Sequence, residues 1–375
     1  MSQVVGIIGG GLAGLSLSIQ LSKKGIKVLL FEKEAYPFHK VCGEYIAMES
    51  WDYLIQCGIP LPHLQLPRIT SLKVSAPNGQ FLRHALQPGG FGISRYTLDW
   101  LLATEAEREG VRVFQNTKVL GIHYKHDVFS IETQEGSYEV SLVVGSFGKR
   151  SNLDIKLERK FITKALPPRK NFVGVKYHIQ IPEKEEDVIE LHNFKDGYCG
   201  ISKVEDEKYC LCYLTTAQTL RNYESLKRME EGVLYRNPFL KKYFEQAMFL
   251  YENPLVISQI NFEDKPCVDK HVLMAGDAAG LIAPLCGNGM SMALHASKIL
   301  SELVPVYLKG NITRDELESL YEKTWKKYFS TRIAVGRIIQ YSFGKEMVSN
   351  WMIRLLRPFP SIVGKLESFT HGDSF

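Results

Sequence analysis

The sequence predicts an α/β fold in which a parallel sheet flanked by helices carries an inserted antiparallel sheet and ends in a helical C-terminus. Three observations predict it. An apolar strand-like run, a glycine-rich turn and a helical pattern follow one another before Gly25. Residues 172–216 alternate apolar and polar side chains as half-buried strands do, and residues 311–375 carry helical spacing.

Bulk properties narrow the class. A chain of 375 residues, 45% hydrophobic and 23% charged, can bury a large core and exceeds a single small domain. Its 46 basic and 41 acidic residues are scattered rather than blocked, so nucleic acid is not implied as a partner. The seven cysteines form no CxxC pair and no zinc-like spacing, so no metal is expected and a reducing cytoplasm fits. The opening "VVGIIGGG" has neither a basic n-region nor a long apolar h-region, and no window offers 18 uninterrupted apolar residues.

Taken in order, Val4 to Ile8 is a buried-strand run, followed at once by Gly9, Gly11 and Gly14. "LSLSIQLSKKG" then reads as a helix stopped by Gly25, and "IKVLLFE" as a second buried strand ending in Glu32. This is the Rossmann-like dinucleotide pattern. Glycines admit a pyrophosphate to the backbone, the helix start at Leu12 and Ala13 supplies N–H donors, and a carboxylate receives the ribose hydroxyls. Glu32 follows Gly14 by 18 residues, against an expected spacing of about 20.

"ITSLKVSAPNGQFLRHAL" predicts a hairpin turning at Asn78-Gly79, and "RYTLDWLLATEAEREG" a helix; further strands fill 111–144. In "FVGVKYHIQI", Val173, Val175, Tyr177, Ile179 and Ile181 oppose Lys176, His178 and Gln180. The apolar side, with Tyr198, Tyr213 and Phe262, is expected either to roof a pocket for a hydrophobic substrate or to pack as core against helices at 218–249. His178 has no Ser or Asp partner at readable spacing and receives no catalytic role.

"KHVLMAGDAAGLIAPLCGNGMSMALHASKIL" is a second motif. His271 to Ala275 is a strand, Gly276-Asp277 ends it, and a turn through Pro284 leads to a helix from about Gly289. Asp277 can bind a ribityl hydroxyl, while Gly287, Asn288 and Gly289 offer N–H groups to an electron-rich ring edge. A nicotinamide needs no such clamp and an isoalloxazine does, so the expected dinucleotide is FAD. In the C-terminal region Trp351, Met352, Ile353, Leu355, Leu356, Phe359, Ile362 and Val363 lie among Arg354, Arg357 and Lys365. Such a stripe suits burial against the protein, the roof of a lipid pocket or a bilayer interface.

The segment from Gly276 to Gly289 matches the "GDAA…P…G.G" pattern, and the chain resembles the FAD-dependent oxidoreductases of the para-hydroxybenzoate-hydroxylase-like superfamily. Cys42-Gly43, Ser94-Arg95 with Leu98-Asp99 and Leu102, and Thr370-His371-Gly372 make it most similar to the geranylgeranyl-reductase-like branch. Two departures stand out: "VGSFGKRSNLD" has Phe147 where hydroxylases carry an acid, and "GYCGIS" has Gly200 where these reductases carry a bulky ring.

The interleaving of two kinds of material between the flavin motifs suggests a discontinuous FAD domain (1–70, 95–165 and 265–310), a substrate-binding sheet domain (71–94 and 166–264) and a helical region (311–375). The resemblance adds Lys33, Lys40, Cys42, Gly43, Arg95, Val119 and Met290 as FAD contacts, and Tyr177, Tyr198, Tyr213 and Pro284 as substrate-lining residues. Cys42 beside the ring reads as a proton donor activated by Lys40, or as a small packed hydrophobe; Cys286 could face it as a redox partner. Glu44 is expected to cap a helix over 44–57.

The implied activity is reduction of a carbon–carbon double bond in an isoprenoid, polyketide or phenolic lipid, with hydride from flavin N5. NADPH, NADH or a ferredoxin is the implied electron donor. Monooxygenation through a flavin hydroperoxide and a non-catalytic flavin-binding or electron-transfer role stand as alternatives. The expected location is cytoplasmic, with peripheral contact at the inner membrane face through the C-terminal helices.

Overall fold

The structure, a computed structural model, describes residues 3–162, 171–182, 184–260, 262–342 and 344–375. At its centre lies β1 (Val4–Ile8), with β2 (Lys27–Phe31) parallel on one side and β10 (Leu142–Gly145) parallel on the other. β6 (Arg112–Phe114) extends the sheet beyond β2; β18 (Val272–Met274) and the antiparallel β17 (Val268–Asp269) extend it beyond β10. Every residue of β1 is buried, the continuous apolar run that a sheet covered on both faces requires.

One face is covered by α1 (Leu12–Lys23), which packs on α3 (Arg95–Arg108) and α8 (Gly289–Leu308). α2 (Trp51–Gln56) joins this layer, where Tyr53 Oη lies 2.7 Å from Ser297 Oγ. On the other face lies a three-stranded sheet of β7 (Val119–Lys125), β8 (Val128–Thr133) and β9 (Ser137–Val140). Its Ile131 and Val140 fill the space left by Gly6. The short α4 (Asn152–Lys156) follows, opened by a capping box from Ser151.

The second sheet has nine strands. In spatial order they are β15 (Met248–Phe249), β11 (Phe172–Gln180), β14 (Tyr209–Thr216), β13 (Gly197–Lys203), β12 (Val188–Phe194), β4 (Arg68–Ser75), β5 (Phe81–Gly92) and β3 (Tyr45–Ala47), with β16 (Leu255–Ile260) also on β11. β4 and β5 form the hairpin expected around Asn78-Gly79, with Gly79 at φ +83°. This sheet takes β3 and the start of β4 from residues 1–70, which were assigned to the first domain. The boundary placed at residues 165–166 lies outside the described residues.

The orientation of β11 decides between the two expectations: its apolar side packs as core against the helices at 217–246 and does not roof a pocket, which corrects Tyr177 and Tyr213 as substrate-lining residues. Val173, Val175 and Ile179 do not face the first sheet; they form a separate core with Met229, Val233 and Leu240 under α5 (Ala217–Arg221), α6 (Leu226–Val233) and α7 (Pro238–Gln246). Tyr177 and Tyr213 belong to that core, where both hydroxyls donate to Glu230 Oε1, at 2.8 and 2.7 Å. The polar face of β11 is the one turned toward the loop before β3. Three amphipathic helices supply more apolar surface than the loop can, so the apolar side of the strand goes to them.

The C-terminal region forms α9 (Arg314–Ser342), α10 (Glu346–Leu356) and α11 (Pro360–Thr370). Leu317, Tyr321 and Phe329 bury α9 against the first domain, whereas Trp351 is 72% and Leu355 61% exposed. Among the described residues no helix is long and apolar enough to cross a membrane.

Candidate functional site

The glycine turn after β1 is built by close packing. Gly9 has φ +104°, and a Cβ there would stand 2.4 Å from the Ser146 carbonyl oxygen. A Cβ on Gly14 would stand 2.1 Å from the Gly9 carbonyl oxygen, so α1 approaches β1 only without a side chain at that position. α1 starts at Leu12 and Ala13 with no side-chain cap and no acidic residue in its first turn. Its free N–H groups and dipole therefore favour an anion.

Two cations converge there. Arg95 Nη2 and Lys40 Nζ lie 3.6 and 3.8 Å from the point a Cβ on Gly11 would occupy. Both are held by buried Asp99, through Arg95 Nε and Nη2 at 2.8 Å each and Lys40 Nζ at 3.0 Å. Burial alone would raise the Asp99 pKa, but Arg95 and Lys40 hold it below the usual carboxylate value. Two positive charges and one negative leave an excess positive charge over the turn, as a diphosphate site needs. Lys40 is thus committed to Asp99, and the expectation that it serves Cys42 is corrected.

Beside the turn, Glu32 accepts the Gly10 N–H at 2.9 Å and the Glu34 N–H at 3.2 Å, which fixes its carboxylate at the strand end. The Lys33 side chain stands in solvent, paired with Glu34 at 3.5 Å. Val119 opens β7 and is buried.

The second motif closes on the first. A Cβ on Gly276 would stand 3.5 Å from that of Ala13, so the turn after β18 abuts the start of α1. The Asp277 carbonyl accepts from Lys265 Nζ at 2.9 Å; burial, opposed by Asp277, lowers the Lys265 pKa to about 8. Gly287 (φ +67°) packs on the Tyr45 ring. Asn288, fully buried ahead of Gly289, donates from Nδ2 to the Thr370 carbonyl, which ties the Thr370-His371-Gly372 tripeptide to the start of α8. Tyr198 lies on the flavin-domain side of β13, at the Leu285 backbone next to exposed Pro284. Of the three expected substrate-lining tyrosines, only Tyr198 is on this side.

The stretch from Lys40 to Glu44 is held carbonyl by carbonyl. Lys40 O accepts from Lys176 Nζ (3.2 Å), Val41 O from Lys149 Nζ (3.3 Å) and Cys42 O from Cys210 Sγ (3.1 Å). Gly43 O accepts from Ser202 Oγ (3.0 Å) and Glu44 O from the Ile93 N–H (3.1 Å). A Cβ on Gly43 would meet nothing within 4 Å, so open space adjoins this backbone. The sulfur facing Cys42 is the Met290 thioether, 3.5 Å away, which replaces the Cys42–Cys286 pairing considered from sequence; both cysteines are free.

Glu44 does not cap a helix over 44–57, since β3 and α2 divide that stretch. It is fully buried at φ +57°. Its Oε1 accepts from Lys176 Nζ and, at 2.7 Å, from the Arg95 N–H in the first turn of α3; Oε2 accepts from His178 Nε2 at 2.6 Å. Although burial pushes its pKa up, Lys176 and His178 bring it down to about 2. Glu44, His178 and Cys210 could together hold a metal ion, and the Lys176 ammonium already supplies the cation beside Glu44. Sequence reading missed this cluster because 134 residues separate His178 from Glu44. The available signal was Lys176 and His178 on one strand face.

An uncapped helix start behind a close-packed glycine turn, two converging cations, a fixed acid and an open backbone at Gly43 fit a flavin dinucleotide. Fold and site define the class: an FAD-binding flavoprotein of the α/β type. Residues 1–325 match the family of the FAD binding domain, and the chain belongs to that family. A digeranylgeranylglycerophospholipid reductase from Methanococcus vannielii is 23% identical over 86% of this chain and 81% of its own length. Conditioned medium factor receptor 1 from Dictyostelium discoideum is 25% identical over 88% of this chain and 69% of its own. Among solved structures, a geranylgeranyl bacteriochlorophyll reductase-like protein from Thermoplasma acidophilum superposes with a TM-score of 0.79 at 14% identity, over 97% of this chain and 95% of that one. The halogenase PltM, in complex with phloroglucinol and FAD, gives 0.76 at 16% identity over 98% and 85%. The chain is an FAD-dependent oxidoreductase.

Proposed function

We propose that this oxidoreductase reduces a carbon–carbon double bond in a hydrophobic, isoprenoid-type substrate. The observation that carries the reading is the Cys42 thiol beside the open backbone of Gly43 and against Met290 of the second motif. The similarity to a digeranylgeranylglycerophospholipid reductase supports the substrate class.

When bound, FAD supplies two-electron hydride chemistry at N5. Gly9, Gly11, Gly14 and the first turn of α1 bind its diphosphate with Arg95 and Lys40, and Glu32 binds the adenosine ribose. Asp277 and the Gly287–Gly289 backbone orient the ring end. Cys42 holds a proton for the substrate carbon that does not receive hydride, and its thiolate regains that proton from solvent. Tyr198 and Pro284 would line the apolar side of the substrate site. The exposed Trp351, Leu355 and Phe359, interspersed with Arg354 and Arg357, support contact with a lipid surface from which such a substrate is drawn.

Purified protein is expected to be yellow and to bleach anaerobically with one of NADPH, NADH or reduced ferredoxin. Reduced protein mixed with isoprenoid lipid vesicles should sediment with them and yield a lipid two hydrogens heavier. Oxygen uptake with a hydroxylated product would replace the reductase reading by a monooxygenase one; protein that cannot take up FAD would remove both. Cys42→Ala is expected to slow reduction by about 100-fold or more at unchanged flavin content.

A further inference from the structure

The inserted sheet turns Lys176 and His178 of β11, not an apolar face, toward the stretch that carries Cys42, Gly43 and Glu44. Lys176 is 1% exposed and Glu44 is completely buried. A buried ion pair is a poor stability device, because desolvation of two charges offsets their attraction, and apolar side chains of similar volume serve as well or better. The backbone argues the same way. Glu44 adopts the left-handed conformation at φ +57°, which side chains other than Gly, Asn and Asp rarely adopt, and such strain is retained where surrounding contacts impose it. Those contacts are Lys176, His178 and the Arg95 N–H, all on one carboxylate.

Charge bookkeeping around the loop is simple. Arg95 and Lys40 exceed Asp99 by one positive charge beside the glycine turn, where Glu32 stands at Gly10; Lys149 adds a cation at Val41, and Lys176 against Glu44 adds no net charge. Both ions of the second pair are ionised at neutral pH. Burial pulls the Lys176 pKa down but Glu44 raises it above the ordinary lysine value, and the Glu44 carboxyl lies near 2. Lys176 also lies within electrostatic range of the Cys42 thiol and donates to the Lys40 carbonyl, so its charge sits against the backbone of the loop that carries Cys42 and Gly43.

We propose that Glu44 and Lys176 act in opposite directions on the reduction potential of the bound FAD, Lys176 stabilising and Glu44 opposing the negative charge that the ring gains on reduction, so that each charge balances the other. The inference rests on the placement of the ring against Cys42–Gly43 described above. In the step concerned FAD takes up two electrons and one proton and becomes an anion. Charges beside the ring site that are buried out of water would be weakly screened. Glu44 and Lys176 act here as positioning and electrostatic residues, His178 holding the second carboxylate oxygen.

The experiment uses the FAD-loaded full chain and its Glu44→Gln, Lys176→Met and doubly substituted variants. Each is equilibrated with a redox dye of known potential while dithionite supplies the electrons. Lys176→Met is expected to disfavour the reduced flavin at least tenfold, about 30 mV for a two-electron couple, and Glu44→Gln to favour it by a similar factor. The double variant, which removes both charges and keeps the volume, is expected within threefold of the parent. A structural role alone would lower the melting temperature of both single variants without moving the two potentials in opposite directions. Single variants that retain FAD and shift together, or not at all, overturn the proposal. If Lys176→Met does not fold, Glu44→Gln and the double variant still decide it through the sign of the first and the return of the second. Failure of the parent chain to bind FAD would overturn the proposed function itself, a result distinct from unaltered potentials.

Discussion

Gly14 shows how one residue fixes both packing and binding. With 2.1 Å between its hypothetical Cβ and the Gly9 carbonyl oxygen, any side chain must push α1 away from the turn that it completes. Gly14→Val is expected to cost about 1–3 kcal/mol by overpacking and to abolish FAD retention. Urea titration and flavin absorbance after gel filtration check the two effects; a variant that stays yellow would detach the glycine turn from cofactor binding. Asp99 and Glu44 are harder to read from the sequence. Asp99 follows Arg95 by one helical turn, a spacing visible in the chain, but that Lys40 shares its carboxylate depends on how the loop folds. Glu44 lies where helix-capping acids occur, and only the fold shows that its carboxylate serves the first turn of α3, along with Lys176 and His178, rather than a helix of its own.

At the scale of elements, β11 is the instructive case. Its alternation was plain in the sequence, and strict period two fixes which residues share a face; it does not fix which face meets which neighbour. The structure gives the apolar face to α5, α6 and α7, whose apolar residues complete a second core, and leaves Lys176 and His178 toward the first domain. Tyr213→Phe is therefore expected to lose only its bond to Glu230, a destabilisation of about 1.5–3 kcal/mol, with flavin content and turnover unchanged. Chemical denaturation paired with a turnover assay checks it, and a change in substrate KM would return Tyr213 to the cavity. The glycine turn, β2 and the start of α8 were legible because each couples a run of apolar residues to glycines at fixed offsets, a local pattern. The pairing of β3 with β5 was not, since three residues carry too little periodicity to declare a strand.

Across the whole molecule, the C-terminus holds the second motif in place. Thr370 accepts from Asn288, the Gly372 N–H donates to Glu49, and Phe375 stacks on His295 with ring centroids 4.3 Å apart. This packing makes stability depend on pH. Burial, with Arg332 and Lys298 nearby, lowers the His295 pKa to about 4, so the folded chain prefers the neutral ring. In the unfolded chain the imidazole protonates near 6.5, so its contribution is complete above that pH and is lost as pH falls toward 4. Glu44, depressed to about 2, adds stability that is complete above the ordinary value of 4.5 and is lost as pH falls toward 2. Melting temperature is expected to fall in two stages, from pH 6.5 to 4 and again below 4.5. His39, which burial also lowers to about 4, and buried His192, lowered as well, share the upper window, so His295→Phe is expected to reduce the upper stage and leave the lower one unchanged; a variant with the upper stage at full height would remove His295 from it. By itself the sequence determined the α/β class, the two glycine motifs and the cofactor they bind, because these depend on residue order over short spans and on backbone geometry that glycine alone permits. Only the tertiary structure decided that β11 offers Lys176 and His178 rather than Tyr177 to the loop and its Glu44, because the facing of a strand is set by competition among distant surfaces for its apolar side.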